Sequence, residues 1–139
     1  MRLRSAAGAW LLARMVAWRL ALPLLKRILS LPRLVRLAAS RARPGASPFS
    51  PAQVVSASHR LFPTRTPTSG DCLERSLLTY RFLLDTGAAP QLNFGVARTP
   101  VGLAGHAWVI LAGAPVDESP ESLARYSELV SFTASGAPR

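Results

Sequence analysis

The fourteen residues DCLERSLLTYRFLL, Asp71–Leu84, constrain this chain more than any other stretch. Leu73, Leu77, Tyr80 and Leu84 recur at steps of four, three and four, the spacing of one helix face. Asp71 is a good N-cap, and Glu74 three residues on completes an aspartate version of the capping box. Gly87, after Thr86, supplies a C-terminal stop. The only cysteine of the chain, Cys72, therefore falls in the first turn of an amphipathic helix. First-turn N–H groups lack intrahelical partners, and with the helix dipole they favour a thiolate, the nucleophilic form.

Charge divides the chain in two. Residues 1–70 carry 12 of the 17 Lys and Arg and no Asp or Glu, whereas residues 71–139 carry five basic residues against all seven acidic ones. The basic character thus belongs to the front half, and it offers a docking place for a partner or an acidic peptide. Basic charge without a nucleic-acid-binding motif gives only non-specific electrostatics, so nucleic acid is not expected as a partner. One cysteine excludes an internal disulfide framework and a multi-cysteine zinc site, and it fits a reducing, cytoplasmic setting. With 139 residues the prior is one domain. A C-terminal half of about 70 residues makes a marginal core by itself, so the N-terminal helices are expected to help cover it.

Residues 1–43 read as a basic amphipathic helical segment, divided by Pro23 and Pro32 into two or three short helices. The longest uncharged run, Ser5–Ala13, is nine residues, against the roughly 20 a spanning helix needs, so no span is expected; the segment is a helical subdomain packed on the rest of the chain, a peripheral contact with an anionic membrane surface, or a docking element for a protein partner. Residues 44–51 form a Pro- and Ser-containing linker. A folded domain is placed over 52–132, with a frayed tail over 133–139. Within the domain, Ser50 and Pro51 open a helix reaching Phe62, on which His59 is a surface or packing residue. Gln91–Arg98 alternates as a strand, Thr99–Gly105 reads as a loop, and His106–Leu111 as a second strand. A turn on Ala112–Gly113 leads to a short strand near Val116–Glu118. Ser119 caps a last helix reaching Val130.

If the hairpin turns on Ala112 and Gly113, Asp117 lies opposite Trp108 and diagonal to His106, on one face. A carboxylate there fixes the tautomer of the imidazole, and the imidazole takes the proton of the Cys72 thiol. Cysteine, histidine and aspartate in this order are the parts of nucleophilic acyl transfer. Each residue also has a plain structural reading. Cys72 is then a buried hydrophobe, His106 a strand-end residue, Asp117 a turn marker and Trp108 a core aromatic. A one-residue slip in register would put Asp117 on the wrong face.

The segments CLERSLLTYRFLLDTGAAPQLNFGV and GLAGHAWVIL resemble the lasso peptide biosynthesis B proteins, a transglutaminase-like branch of the papain-like cysteine proteases. The matching positions are Cys72, Leu73, Arg75, Ser76 and Leu77, then Gly87, Gly95, Val96, His106, Ala107, Trp108, Val109 and Asp117. The resemblance implies an α+β fold with the cysteine helix packed on a small antiparallel sheet and N-terminal helices around it. It implies Cys72 as nucleophile, His106 as general base and acid, and Asp117 as orienter, with Arg75, Ser76 and Trp108 as substrate-contacting or supporting residues. The implied activity is removal of the leader peptide from a ribosomally made precursor before macrolactam closure. The implied partners are that leader, a separate small leader-binding protein and an asparagine-synthetase-like cyclase; no cofactor or metal is implied. Ile110 stands where the family often has Glu, and Asp71 precedes the cysteine where a neutral residue is usual. The rival readings are a related hydrolase or acyl transferase on another substrate, and a non-catalytic module binding a membrane or partner.

Overall fold

A computed structural model describes residues 5–62, 71–116 and 118–139. Its helices are α1 (Ala6–Ile28), α2 (Leu31–Ser40), α3 (Pro51–Leu61), α4 (Cys72–Asp85) and α5 (Pro120–Leu123). The strands are β1 (Gln91–Thr99), β2 (Gly102–Leu111), β3 (Ala114–Pro115) and β4 (Ser127–Phe132), in antiparallel order β3-β2-β1-β4. The expected α+β architecture is present, with α4 at its centre.

More of α4 is buried than one apolar stripe would require. Every residue from Glu74 to Asp85 is buried, because α1, α2 and α3 pack on it as well as β1 and β2. Leu77, Leu78, Tyr80, Phe82 and Leu83 are at most 1 % exposed, each worth about 1.5–3 kcal/mol of burial. Several of its polar residues find specific partners, as a helix buried all round demands, though Glu74 Oε2 and Arg81 Nε have no hydrogen-bond partner among the described residues. Thr79 Oγ1 donates to the Arg75 carbonyl at 2.9 Å and meets Ser58 Oγ at 2.7 Å. The Tyr80 hydroxyl donates to the Thr133 carbonyl at 2.6 Å. The expected capping box does not form. Asp71 is the N-cap residue but makes no side-chain cap hydrogen bond, and Glu74 instead takes Lys26 Nζ of α1 at 2.6 Å. A nearby ammonium competes better for that carboxylate than a backbone N–H does. Gly87 ends the helix at φ +86°, as its place after Thr86 predicts.

Several expectations are corrected. Pro23 does not divide the first segment; α1 runs through it for 23 residues, while Pro32 sits in the first turn of α2, where proline is tolerated. By length and composition this continuous helix is long and apolar enough to cross a membrane. Its inner face nevertheless belongs to the protein core, through Leu11, Met15 and Leu22. The loop expected over 99–105 is mostly strand. β1 and β2 pair from Gln91↔Ile110 to Thr99↔Gly102, closing on a two-residue turn at Pro100–Val101.

The expected last helix stops at Leu123, and Ser127–Val130 belong to β4, drawn onto the free edge of β1. The tail is not frayed. Phe132 is 1 % exposed, Arg139 N–H donates to the Ser131 carbonyl at 2.8 Å, and Gly136 lies against α2 at φ +81°. A Cβ at Gly136 would stand 2.9 Å from Ala39 Cβ and 3.1 Å from Arg36 Cα, so the left-handed backbone and the space both require glycine there.

Candidate active site

Cys72 opens α4, and His106 lies in the middle of β2, opposite Gly95 of β1. The edge of β2 meets the first turn of α4. Ser76 Oγ donates to the Ala107 carbonyl at 2.9 Å, and the Ala107 backbone also hydrogen-bonds Cys72. This seam brings the imidazole of His106 into hydrogen bonding with the Cys72 sulfur. His106 Nε2 lies 2.5 Å from Glu118 Oε1. With Nε2 taken by the carboxylate, Nδ1 is the nitrogen left for the thiol.

Glu118, not the residue chosen from sequence, is therefore the carboxylate found at the imidazole; Asp117 lies outside the described residues. The hairpin itself forms in the expected register, with Leu111↔Ala114, Ile110↔Pro115 and Val116 N–H donating to the Val109 carbonyl at 3.0 Å. Its turn, Ala112–Gly113, has φ of +52° and +81°, the positive pair of a tight hairpin. The named strand ends at Pro115, however, and Val116 is already a bend. Beyond that point strict alternation no longer decides which side chain faces His106.

The three supporting residues fall around this pair. Arg75, 5 % exposed, places Nη2 3.9 Å from Glu118 Oε1 and adds positive potential at the sulfur. Ser76 holds the strand edge. Trp108 stacks on His106 at 5.9 Å between ring centroids. Sequence reasoning missed Tyr126, whose ring stacks on His106 at 4.8 Å and 22°. The sequence places it in the last helix, which ends at Leu123 before reaching it, so no signal connects it to the imidazole.

Gly95 lets these rings approach. A Cβ there would stand 2.7 Å from the Ser127 carbonyl oxygen and 2.9 Å from Trp108 Cη2. The β1–β4 register shifts at this point, between Phe94 and Gly95, a bulge beside the site. Gly95→Ala is expected to cost about 1–3 kcal/mol in urea denaturation by overpacking. Gly105→Ala, where a Cβ meets nothing within 4 Å, is expected to change stability by less than about 0.5 kcal/mol.

The electrostatics form a coupled pair. Burial pushes the Cys72 thiol up, but hydrogen bonds from His106 and the Ala107 backbone, with the charges of His106 and Arg75, outweigh it and hold the thiol below its ordinary value. Burial likewise pushes His106 down, but Cys72 and Glu118 overcome it and raise the imidazole to about 9. Each member of the pair thus favours the charged form of the other, a thiolate beside an imidazolium. Such a pair can attack a carbonyl carbon and protonate a leaving amine. Among the described residues no group of three His, Cys, Asp or Glu side chains gathers to hold a metal.

A family model described as the transglutaminase-like superfamily matches residues 5–131. The chain belongs to the transglutaminase-like superfamily. Cysteine peptidases and transferases are common in that superfamily. The transglutaminase-like match takes in α1 and α2 as well as Cys72, His106 and Glu118. No curated protein and no solved structure matches the chain.

Proposed function

We propose that this transglutaminase-like protein is a cysteine peptidase that removes the leader from a ribosomally made lasso peptide precursor. The observation that carries the catalytic part is an imidazole held by Glu118 and placed close enough to the Cys72 thiol that each shifts the titration of the other. The lasso assignment rests on the sequence pattern of CLERSLL and GHAWV in the chain.

In this reading the Cys72 thiolate attacks the scissile carbonyl and the tetrahedral oxyanion turns toward the Cys72 backbone N–H. His106 gives its proton to the leaving amine as the C–N bond breaks, leaving a thioester. Water, deprotonated by His106, then cleaves the thioester to a carboxylate and returns the thiolate. Glu118 holds the imidazole and stabilises its charged form. A separate leader-binding protein would present the precursor, and an asparagine-synthetase-like cyclase would take the freed core. A transferase would share every step up to the thioester and differ only in discharging it onto an amine.

The test is incubation of the precursor with this protein and its leader-binding partner, followed by mass spectrometry. The expected products are intact leader and a core with a free amino terminus, with one ¹⁸O from labelled water in the leader carboxylate. An amine adduct in place of that carboxylate would make the protein a transferase, and an uncut precursor would remove the leader-peptidase reading. The rate is expected to rise as Cys72 ionises below its ordinary 9.0, and to fall near pH 9 as His106 loses the proton the leaving amine needs.

A further inference from the structure

The outward side of α1 is apolar from Ala6 to Leu24, with Arg27 entering it only in the last turn. Trp10, Leu20, Leu24 and Ile28 are 62–74 % exposed, and Ala6, Ala9, Ala13 and Ala17 lie exposed between them. Exposed apolar area on this scale marks a surface that meets something other than water. Beside it run two clefts that share Trp18 and Arg41. One, of about 350 Å³, is an apolar trough between α1 and α2, with Ala17, Ala21, Leu25 and Leu37 in its walls. The other, of about 420 Å³, gathers Arg14, Arg41, Arg43 and Arg81 with Trp10 and Trp18, against a single carboxylate, Asp85.

That carboxylate is fully engaged. Asp85 Oδ1 takes Arg81 Nη1 and the Arg43 N–H, each at 2.8 Å, and Oδ2 takes Arg14 at 3.2 Å. The guanidinium groups of Arg41 and Arg43 have no ion pair among the described residues, and Arg81, 3 % exposed, has an Nε with no hydrogen-bond partner there. The cleft is thus short of negative charge by three. Arg19, Lys26, Arg27, Arg33 and Arg36 add to it on α1 and α2, which carry no acidic residue.

We propose that α1 lies flat on an anionic phospholipid surface, its outward side in the acyl region and a lipid phosphate in the arginine cleft, with the adjoining trough taking an acyl chain. Charge complementarity selects this occupant. An apolar stripe edged only by basic residues, with tryptophan at the boundary, matches the layered chemistry of an anionic membrane interface. The helix lies on the bilayer rather than through it, because its opposite face is the protein's own core and Arg14 and Lys26 are tied to Asp85 and Glu74 of α4.

Flotation of the full chain with vesicles tests this. Phosphatidylcholine vesicles containing phosphatidylglycerol are expected to carry the protein up, and pure phosphatidylcholine vesicles at least tenfold less of it. The Arg41→Ala/Arg43→Ala variant should bind the anionic vesicles about 30-fold more weakly, about fivefold for each cation near the surface. Its fold is protected, since the Arg41 carbonyl and the Arg43 N–H, not their side chains, make the contacts with Arg81 and Asp85. Leu20→Ser/Leu24→Ser should lose at least about tenfold through lost apolar burial. On the unaltered protein, brominated acyl chains should quench tryptophan fluorescence. Three results would each overturn the proposal. They are no flotation, equal flotation on both vesicle types, and binding that inorganic phosphate or an acidic peptide abolishes while the leucine variant keeps it.

Discussion

Replacing His106 with alanine is expected to lower peptide cleavage by about 10⁴-fold or more, and Cys72→Ala by as much. The two residues act on one proton, so the double variant should be no worse than either single one. Alkylation separates this from misfolding. In the parent protein, labelling of Cys72 should set in at a lower pH than for an ordinary thiol, because His106 holds the thiol below 9.0 against the opposing effect of burial. In His106→Ala burial remains while that hydrogen bond and charge are gone, so the labelling limb moves to higher pH. An unmoved limb would detach the imidazole from the sulfur and leave the non-catalytic module as the better reading. Glu118→Gln should keep the fold and lose about 10²–10⁴ in rate, since a neutral amide no longer stabilises the imidazolium. Asp117→Asn is expected to cost far less, and the opposite ranking would return the orienting role to Asp117.

Asp85→Ala is expected to destabilise the protein by about 3–5 kcal/mol, seen as a drop of roughly 10–20 °C in Tm. The substitution strands Arg81, which is 3 % exposed and bonded to Asp85 at 2.8 Å from one turn back on α4. Burial already holds Arg81 below its ordinary value, with Asp85 pulling it back up and Arg14 and Arg41 adding to the downward push. Removing the carboxylate leaves two cations, Arg14 and Arg81, and the backbone N–H of Arg43 without their shared acceptor. Asp85→Asn should cost less, because one acceptor oxygen survives. Converting the pair together, Arg81→Met with Asp85→Leu, should recover most of the loss, because no buried charge is then left unpaired. If Asp85→Ala melts within about 2 °C of the parent, the pair is not what fastens α1 and the Arg41–Arg43 segment to α4.

How far the sequence reached depended on distance along the chain. The helix at Cys72, its stop at Gly87, the β1 strand and the Ala112–Gly113 turn were all legible, because spacing and turn chemistry act over a few residues. The end of the β3 ladder was not: a two-residue strand closes at Pro115, and alternation, which points to Asp117, gives no signal for Glu118 beyond it. β4, and Tyr126 just before it, were misassigned because the partner that draws β4 into the sheet, β1, is some thirty residues earlier. The tail was taken as loose because nothing local shows that Tyr80 and α2 hold it.

What the sequence by itself determined is a cysteine at the head of an apolar helix, a histidine on a strand, and a basic front half without acids. Each follows from residue identity, periodicity and charge, which need no folded partner. Only the tertiary structure decided which carboxylate meets His106, that Tyr126 and Trp108 stack on its ring, that α4 is buried on every side, and that α1 keeps an apolar side facing outward. Those outcomes depend on how segments far apart in the chain share one small core, and burial and hydrogen-bond satisfaction there override local preference.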